Sequence, residues 1–174
     1  MIIVFEGIDR SGKSSLIKKI KEVGDDNLRI RSVKFPSKSG FKNAGEFMDD
    51  FRAHFPWEAG NHDSDELVLV DRFWMSTCVY QDMDLRLFNV AHNIFPVNQT
   101  YVMEIDYATW MERMDDESRE VFRGLFDGHS MEDVYQAMTE RYREICSQRS
   151  RVEIIHGSTN LEWQAERILE EWRP

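Results

Sequence analysis

The segment that most restricts the fold is GIDRSGKS, residues 7–14, which directly follows the apolar run of residues 1–5. Its spacing is GxxxxGK[ST], and a helical pattern continues to Val23. The glycines let the loop turn its backbone N–H groups inward, and the N-terminus of the helix adds its positive end. The segment therefore predicts a phosphate-binding loop, with nucleotide contacts from Gly7, Ser11, Gly12, Lys13, Ser14 and Ser15.

The rest of the chain alternates between strand-like and helix-like segments. Strands are predicted at residues 1–5, 28–35, 66–71, 99–106 and 151–157, and helices at 13–23, 43–55, 74–92, 107–114, 131–148 and 160–172. Such alternation predicts right-handed βαβ units. We expect one α/β domain over residues 1–174: a three-layer P-loop NTPase fold whose five-stranded parallel sheet carries helices on both faces. The charged segment 115–128 is predicted to be a short lid, either a loop or a short helix.

Composition excludes several classes of function. The formal net charge of −10 disfavours binding to nucleic acid or to an anionic membrane surface. No apolar run approaches the ~20 residues of a membrane span, and no signal peptide is predicted. Cys78 and Cys146 are far apart, and the five histidines lack metal-ligand spacing. We expect a cytoplasmic protein without structural zinc.

A second motif follows the third predicted strand. Asp71 ends the run LVLVD, where P-loop proteins place the carboxylate that steadies Mg²⁺. The alternative is an Asp that caps the next helix. Ser14 and Asp71 are thus the predicted Mg²⁺ residues, with Lys13 reaching the β- and γ-phosphates of ATP. Arg72 lies at the ligand-binding edge of such a sheet.

The residues at the end of the second strand indicate which kind of group accepts the phosphate. It carries Lys34 and Lys38 and no acid. A kinase that phosphorylates a sugar hydroxyl needs a carboxylate to take the proton, whereas a monophosphate acceptor is already an anion and needs cations. The lysines favour a monophosphate acceptor, although ordinary surface lysines would give the same pattern.

These segments together resemble the thymidylate kinase family. FEGIDRSGKSSL is similar to its P-loop, in the subtype with an Asp-Arg pair, VKFPSKSG to its RFPxR segment, and VDRFWMSTCVYQ to its DRYxxSxxxYQ segment. The last strand and helix, in VEIIHGSTNLEWQAERILEEW, are also similar. The resemblance implies ATP- and Mg²⁺-dependent phosphorylation of a deoxynucleoside monophosphate, dTMP to dTDP, by a homodimer.

The resemblance also implies roles for individual residues. Arg10 would contact the γ-phosphate, Asp9 the deoxyribose 3′-hydroxyl, and Arg72 the acceptor phosphate, so that Lys13, Arg10, Asp9 and Arg72 form the catalytic set. Arg113 would lie over adenine. The implied acceptor-binding residues are Asp9, Phe35, Pro36, Lys38, Phe51, Arg72, Ser76, Thr77 and Tyr80.

The sequence departs from the family pattern in the acceptor site and in the lid. Lys38 replaces an arginine, which keeps the charge and loses the bidentate fork. The helical stripe containing Phe51 could stack on the base or pack in the core. In the lid, Arg119 and Arg123 are candidates for phosphate contacts.

Four other functions also use a phosphate-binding loop. A deoxynucleoside kinase and a broad-specificity monophosphate kinase are the nearest alternatives. A GTPase-like switch would need NKxD and a DxxG after the third strand, and both are absent from the sequence. A non-catalytic P-loop nucleotide-binding protein is disfavoured by the presence of Arg10, Lys13, Ser14 and Asp71.

Overall fold

The computed structural model describes residues 1–25, 27–34, 45–46, 48–50, 53, 65–81 and 97–172. The strands within them are β1 (Ile2–Glu6), β2 (Arg29–Lys34), β3 (Glu66–Asp71), β4 (Gln99–Glu104) and β5 (Val152–His156). The helices are α1 (Lys13–Val23), α2 (Trp74–Tyr80), α3 (Tyr107–Arg113), α4 (Asp116–Leu125), α5 (Met131–Ser147) and α6 (Leu161–Trp172).

The five strands form one parallel sheet in the order β2-β3-β1-β4-β5. Strand β1 is central, with Ile2 opposite Val68 of β3 and Ile3 opposite Gln99 of β4. All five β1 side chains are buried, as expected for a strand with helices on both faces. This arrangement confirms the predicted α/β P-loop fold, and it places the loop after β1 between the carboxyl ends of β3 and β4.

The core has one layer on each side of the sheet because alternate side chains of a strand point to opposite faces. Ile3 and Phe5 of β1 pack with α1 and α6. Ile2 and Val4 pack on the opposite side with α2, α3 and α5. Buried helical residues of the first layer include Leu16, Ile17, Ile20, Ala165, Ile168 and Leu169, and those of the second include Trp74, Cys78, Trp110, Val134, Met138 and Tyr142.

Several helices begin at side-chain caps. Ser130 forms a capping box with Asp133 at the start of α5. Asp115 caps α4 by accepting from the backbone N–H of Ser118. The segment 115–128, predicted as a loop or a short helix, contains the ten-residue helix α4.

Two predicted helices are described in part. Residues 45–46, 48–50 and 53 are helical, as is Trp74–Tyr80, whereas the remainder of 43–55 and residues 82–92 lie outside the described residues. Among the helices that the structure describes, none is both long enough and apolar enough to cross a membrane.

Candidate active site

The loop after β1 takes a shape that requires glycine at its start. Gly7 has φ 131°, and a Cβ atom there would lie 2.4 Å from the carbonyl oxygen of Met103 in β4. Residues with a side chain rarely adopt this backbone conformation, and a side chain here would not fit against the neighbouring strand. The motif glycine thus lets the loop leave the centre of the sheet and lead into α1.

Lys13 lies inside this loop and is buried. Its Nζ donates to the carbonyl oxygens of Gly7 (2.9 Å) and Ile8 (2.7 Å) and to Ser11 Oγ (3.2 Å). Burial, followed by the nearby charge of Arg72, lowers the pKa of the Lys13 ammonium to about 7. A phosphate group in the loop would supply the negative charge that favours the protonated form.

Ser14 and Asp71 meet at the mouth of the loop. The Ser14 hydroxyl donates to Asp71 Oδ2 at 2.5 Å, which joins the start of α1 to the end of β3. Mg²⁺ binds oxygen ligands, commonly one or two carboxylates together with substrate phosphates and water. A hydroxyl and a carboxylate beside a phosphate-binding loop fit that requirement. In the described part of the chain, no cluster of three or more His, Cys, Asp or Glu side chains offers a metal site.

Arg72, directly after β3, reaches across to the loop. Its guanidinium forms an ion pair with Asp9 and donates to Ser76 Oγ at 3.2 Å. Tyr80 also donates to Asp9, at 3.0 Å, and accepts from the Asp9 backbone N–H at 2.8 Å. Burial raises the pKa of the Tyr80 hydroxyl, so it remains a donor at physiological pH.

Arg10 and Arg113 join the loop to the elements after β4. Arg10 Nη2 forms an ion pair with Asp115 and donates to Ser118 Oγ at 2.8 Å, which connects the loop to the start of α4. Arg113 donates to the carbonyl oxygens of Arg10 (3.2 Å) and Gly157 (3.3 Å). The guanidinium of Arg113 therefore links the phosphate-binding loop to the segment after β5.

Arg10 and Arg72 share an unusual backbone conformation. Among the described residues other than glycine, only these two have positive φ, at 64° and 66°. Such strain persists where the surrounding structure holds it, and it is common at functional sites. Here it occurs at Arg10, within the phosphate-binding loop, and at Arg72, which forms an ion pair with Asp9 of that loop.

The loop, β2, β3 and the segment after β5 enclose a cleft of about 790 Å³. It is polar and predominantly cationic, and Lys34 lines its β2 side. This volume falls within the ~300–1,000 Å³ of small-molecule sites. The lining residues are Asp9, Arg10, Gly12, Lys13, Ser14, Ser15, Lys34, Asp71, Arg72, Arg113, Gly157 and Leu161.

The structure brings most of the predicted nucleotide-contacting and catalytic residues to this one cleft. Ser76 and Thr77 are buried beneath it, with Ser76 Oγ bonded to protein partners. Phe35, Pro36, Lys38 and Phe51 lie outside the described residues. Arg119 donates to the Met111 carbonyl oxygen, and Arg123 is exposed on α4.

Sequence reasoning missed two residues that support the loop. Trp110 is fully buried, and its indole N–H donates to the Asp9 carbonyl oxygen at 3.0 Å. Glu6 is a buried carboxylate at the end of β1. The sequence offers one signal for Glu6: it is an acidic residue that ends an apolar run, directly before the first glycine of the motif.

Known proteins are similar to this chain in sequence and in structure. A probable thymidylate kinase from Metallosphaera sedula is 26% identical over an alignment of 160 residues that covers 81% of this chain and 80% of the relative. The YorR protein of Bacillus subtilis, solved in complex with phosphorylated GDP, superposes with a TM-score of 0.67 at 20% identity, covering 100% of this chain and 99% of that one. Thymidylate kinase from Ehrlichia chaffeensis has a TM-score of 0.64 at 17% identity and covers 99% and 98%.

No protein-family model matches the chain. The sequence relative nevertheless confirms the resemblance to the thymidylate kinase family that the motifs predict. The structural matches also agree with the three-layer P-loop fold described above.

Proposed function

We propose that this protein transfers the γ-phosphoryl group of ATP to a deoxynucleoside monophosphate, converting dTMP to dTDP. The observation that carries the proposal is the single cleft in which Lys13, Arg10 and Arg72 converge. Phosphoryl transfer depends mainly on holding two phosphate groups in line and stabilising their charge. A cleft with cations at several points along its wall meets that need.

The donor would occupy the loop after β1. Lys13 would exchange its bonds to the Gly7 and Ile8 carbonyl oxygens for bonds to the β- and γ-phosphates. Ser14 and Asp71 would hold Mg²⁺, which neutralises phosphate charge when bound. Arg113, which donates to the loop and to Gly157, would lie over the adenine, as the family resemblance implies.

The acceptor would bind near Arg72 and Lys34. Arg72 presents a guanidinium suited to bidentate phosphate recognition, and Lys34 adds a second positive charge on the β2 side. Asp9, the carboxylate closest to Arg72, already accepts hydrogen bonds from Arg72 and Tyr80. A carboxylate engaged in this way is better suited to orienting a sugar hydroxyl than to removing its proton, which favours a monophosphate acceptor over a nucleoside.

The test is a steady-state assay with ATP, Mg²⁺ and a panel of dTMP, dUMP, dGMP, dCMP and thymidine. We expect turnover of dTMP and none of thymidine. Turnover of thymidine without dTMP would instead identify a deoxynucleoside kinase, and comparable rates on several monophosphates would identify a broad-specificity enzyme. Absence of turnover with every nucleotide would favour a non-catalytic binding protein.

Two lysines of α1 provide a matched pair of variants for this assay. Lys13→Ala removes the buried ammonium and should abolish turnover. Lys18→Ala removes an exposed ammonium, 80% accessible and paired with Glu22 at 3.7 Å, and should leave turnover unchanged. Wild-type turnover in Lys13→Ala would contradict the assigned phosphate contact.

The family resemblance also supports a homodimer in the cytoplasm. Light scattering of the purified protein tests the first part, since a dimer has twice the 20.7 kDa mass of the chain. A mass of one chain at assay concentration would contradict it.

A further inference from the structure

Glu6 is a carboxylate that the proposed reaction does not use. It is the last residue of β1 and has no exposed surface. Both of its oxygens accept from Ser76 at the start of α2: Oε1 from the backbone N–H at 3.2 Å, and Oε2 from the side-chain hydroxyl. A buried carboxylate is costly unless it is fully hydrogen-bonded. This one is placed one residue before the phosphate-binding loop.

The Ser76 hydroxyl has its three hydrogen-bonding positions occupied. A hydroxyl has one hydrogen to donate and two lone pairs to accept with. The hydrogen goes to Glu6, so Ser76 Oγ accepts from Arg72 Nη1 at 3.2 Å and from the Tyr142 hydroxyl at 3.0 Å. Because a carboxylate only accepts, Glu6 fixes the direction of these bonds and turns the Ser76 lone pairs toward Arg72.

Arg72 consequently has two anchors of different character. Asp9 holds it from the cleft, and the Asp9 side chain is 46% exposed, so a substrate can compete for it. Ser76, which is buried beneath the cleft, holds it from the interior. The Arg72 backbone N–H also donates to the Phe5 carbonyl oxygen at 2.9 Å, which places the residue beside the end of β1.

We infer that Glu6 is a positioning residue that holds the Arg72 guanidinium at the acceptor end of the cleft through Ser76 Oγ. This inference rests on the proposed function, in which Arg72 binds the acceptor phosphate. When the acceptor occupies the cleft and engages Asp9, the Glu6–Ser76 anchor keeps Arg72 in place. Without the Glu6–Ser76 anchor, the Arg72 guanidinium stays with Asp9 or turns to solvent, and the acceptor loses an oriented cation.

The bonding pattern of Glu6 is that of a carboxylate, because both of its oxygens accept from Ser76. Burial raises the pKa of the Glu6 carboxyl above its usual value, and the bonds from Ser76 and the charges of Arg72 and Lys13 offset part of that rise. Tyr142 faces the same hydroxyl, and burial raises its pKa, so it stays protonated and donates. Arg72 and Lys13 thus both compensate the buried charge, and Arg72 is also connected to it through the Ser76 hydroxyl.

The test compares Michaelis constants for the two substrates in Glu6→Gln. The amide keeps the shape, loses the charge, and donates to Ser76 Oγ in place of accepting from it. Bonds to charged groups contribute about 1.5–3 kcal/mol, so we expect the KM for dTMP to rise about tenfold or more. The KM for ATP should rise by a smaller factor, because the hydrogen bonds of the donor loop remain and Glu6 acts on Lys13 only through its charge.

Three further variants separate positioning from a general structural effect. Ser76→Ala should reproduce the Glu6→Gln phenotype, and Ser76→Thr, which keeps a hydroxyl, should restore much of the acceptor affinity. Tyr142→Phe removes a bond to the same hydroxyl and leaves Glu6, Ser76 and Arg72 connected, so its KM for dTMP should stay near wild type. A Tyr142→Phe effect as large as that of Glu6→Gln would overturn the inference.

A readout without substrate keeps the inference independent of the proposed reaction. The Arg72 guanidinium signals in ¹H–¹⁵N spectra, assigned with Arg72→Lys, should show slow hydrogen exchange in wild type and faster exchange in Glu6→Gln and Ser76→Ala. If wild type phosphorylates no nucleotide, the proposed function fails and the exchange result still decides the inference. Unchanged Arg72 exchange in folded Ser76→Ala, or equal changes in both KM values, would overturn it.

Discussion

The buried ammonium of Lys13 leads to a quantitative prediction about pH. In the nucleotide-free protein, burial lowers its pKa to about 7, with Arg72 acting in the same direction and Asp9, Asp71 and Glu6 opposing. At pH 8 the side chain is therefore mostly neutral. Triphosphate oxygens in the loop favour the ammonium and raise its pKa, so ATP binding must take up a proton at this pH.

The sign and size of the effect follow from this linkage. Above pH 7 each added unit makes protonation of Lys13 about 1.4 kcal/mol more costly, a factor of ten. Phosphate groups lose their last proton with a pKa of about 6, so ATP itself contributes little above pH 8. We expect the dissociation constant of ATP to rise about tenfold between pH 8 and pH 9, for as long as the bound lysine stays charged.

Isothermal titration calorimetry in two buffers of different ionisation enthalpy measures the proton uptake directly. At pH 8 we expect an uptake of about 0.9 proton per ATP, from a group with a pKa near 7. Lys18→Met, which changes an exposed lysine of the same helix, should keep both the uptake and the pH slope. Lys13→Arg, which stays charged, should lose both. No proton uptake by wild type, together with a flat dissociation constant from pH 8 to 9, would refute the reasoning.

Three substitutions test other parts of the structure. Gly157→Ala places a Cβ atom 2.3 Å from the Ser11 carbonyl oxygen, so the phosphate-binding loop must shift, and ATP affinity by calorimetry should fall more than tenfold. Asp115→Asn keeps a helix cap and loses the ion pair with Arg10, in which Asp115 competes with a bound phosphate for that arginine. Because both side chains are about half exposed, the KM for ATP should fall by less than about fivefold, and a rise in KM would contradict this competition. Ser130→Ala removes the α5 cap and should lower the free energy of unfolding in urea by about 1 kcal/mol, with kcat per folded molecule unchanged.

The elements that sequence reasoning located correctly are those with strong local signals. Strand β3, at Glu66–Asp71, was predicted at its observed bounds because a nearly continuous apolar run has few alternatives in a sheet covered on both faces. Helix α1 was equally clear from its periodicity after Gly12. Helix α4 was ambiguous because few of its residues are apolar, and its start depends on the Asp115 cap and on the bond from Arg10.

The contacts that arrange the site could not be read from the chain because they join distant residues. Glu6 and Ser76 are 70 positions apart, and Trp110 contacts Asp9 across 101 positions. The order of residue types along the chain does not indicate which carboxylate contacts which hydroxyl in the fold. The motif GxxxxGK[ST] located Lys13 and Ser14 because their roles follow from the loop itself, within a few residues.

The same contacts indicate how substrate binding must work in this cleft. Three charged side chains assigned to a substrate already have protein partners: Lys13 has the Gly7 and Ile8 carbonyl oxygens, Arg10 has Asp115, and Arg72 has Asp9. A substrate gains only the difference between its own contacts and those it replaces. Exchange is least costly for Arg10 and Asp115, whose ion pair is half exposed, and most costly for the buried Lys13. The free energy of ATP binding in the donor loop therefore depends more on the charge of Lys13 than on the position of Arg10.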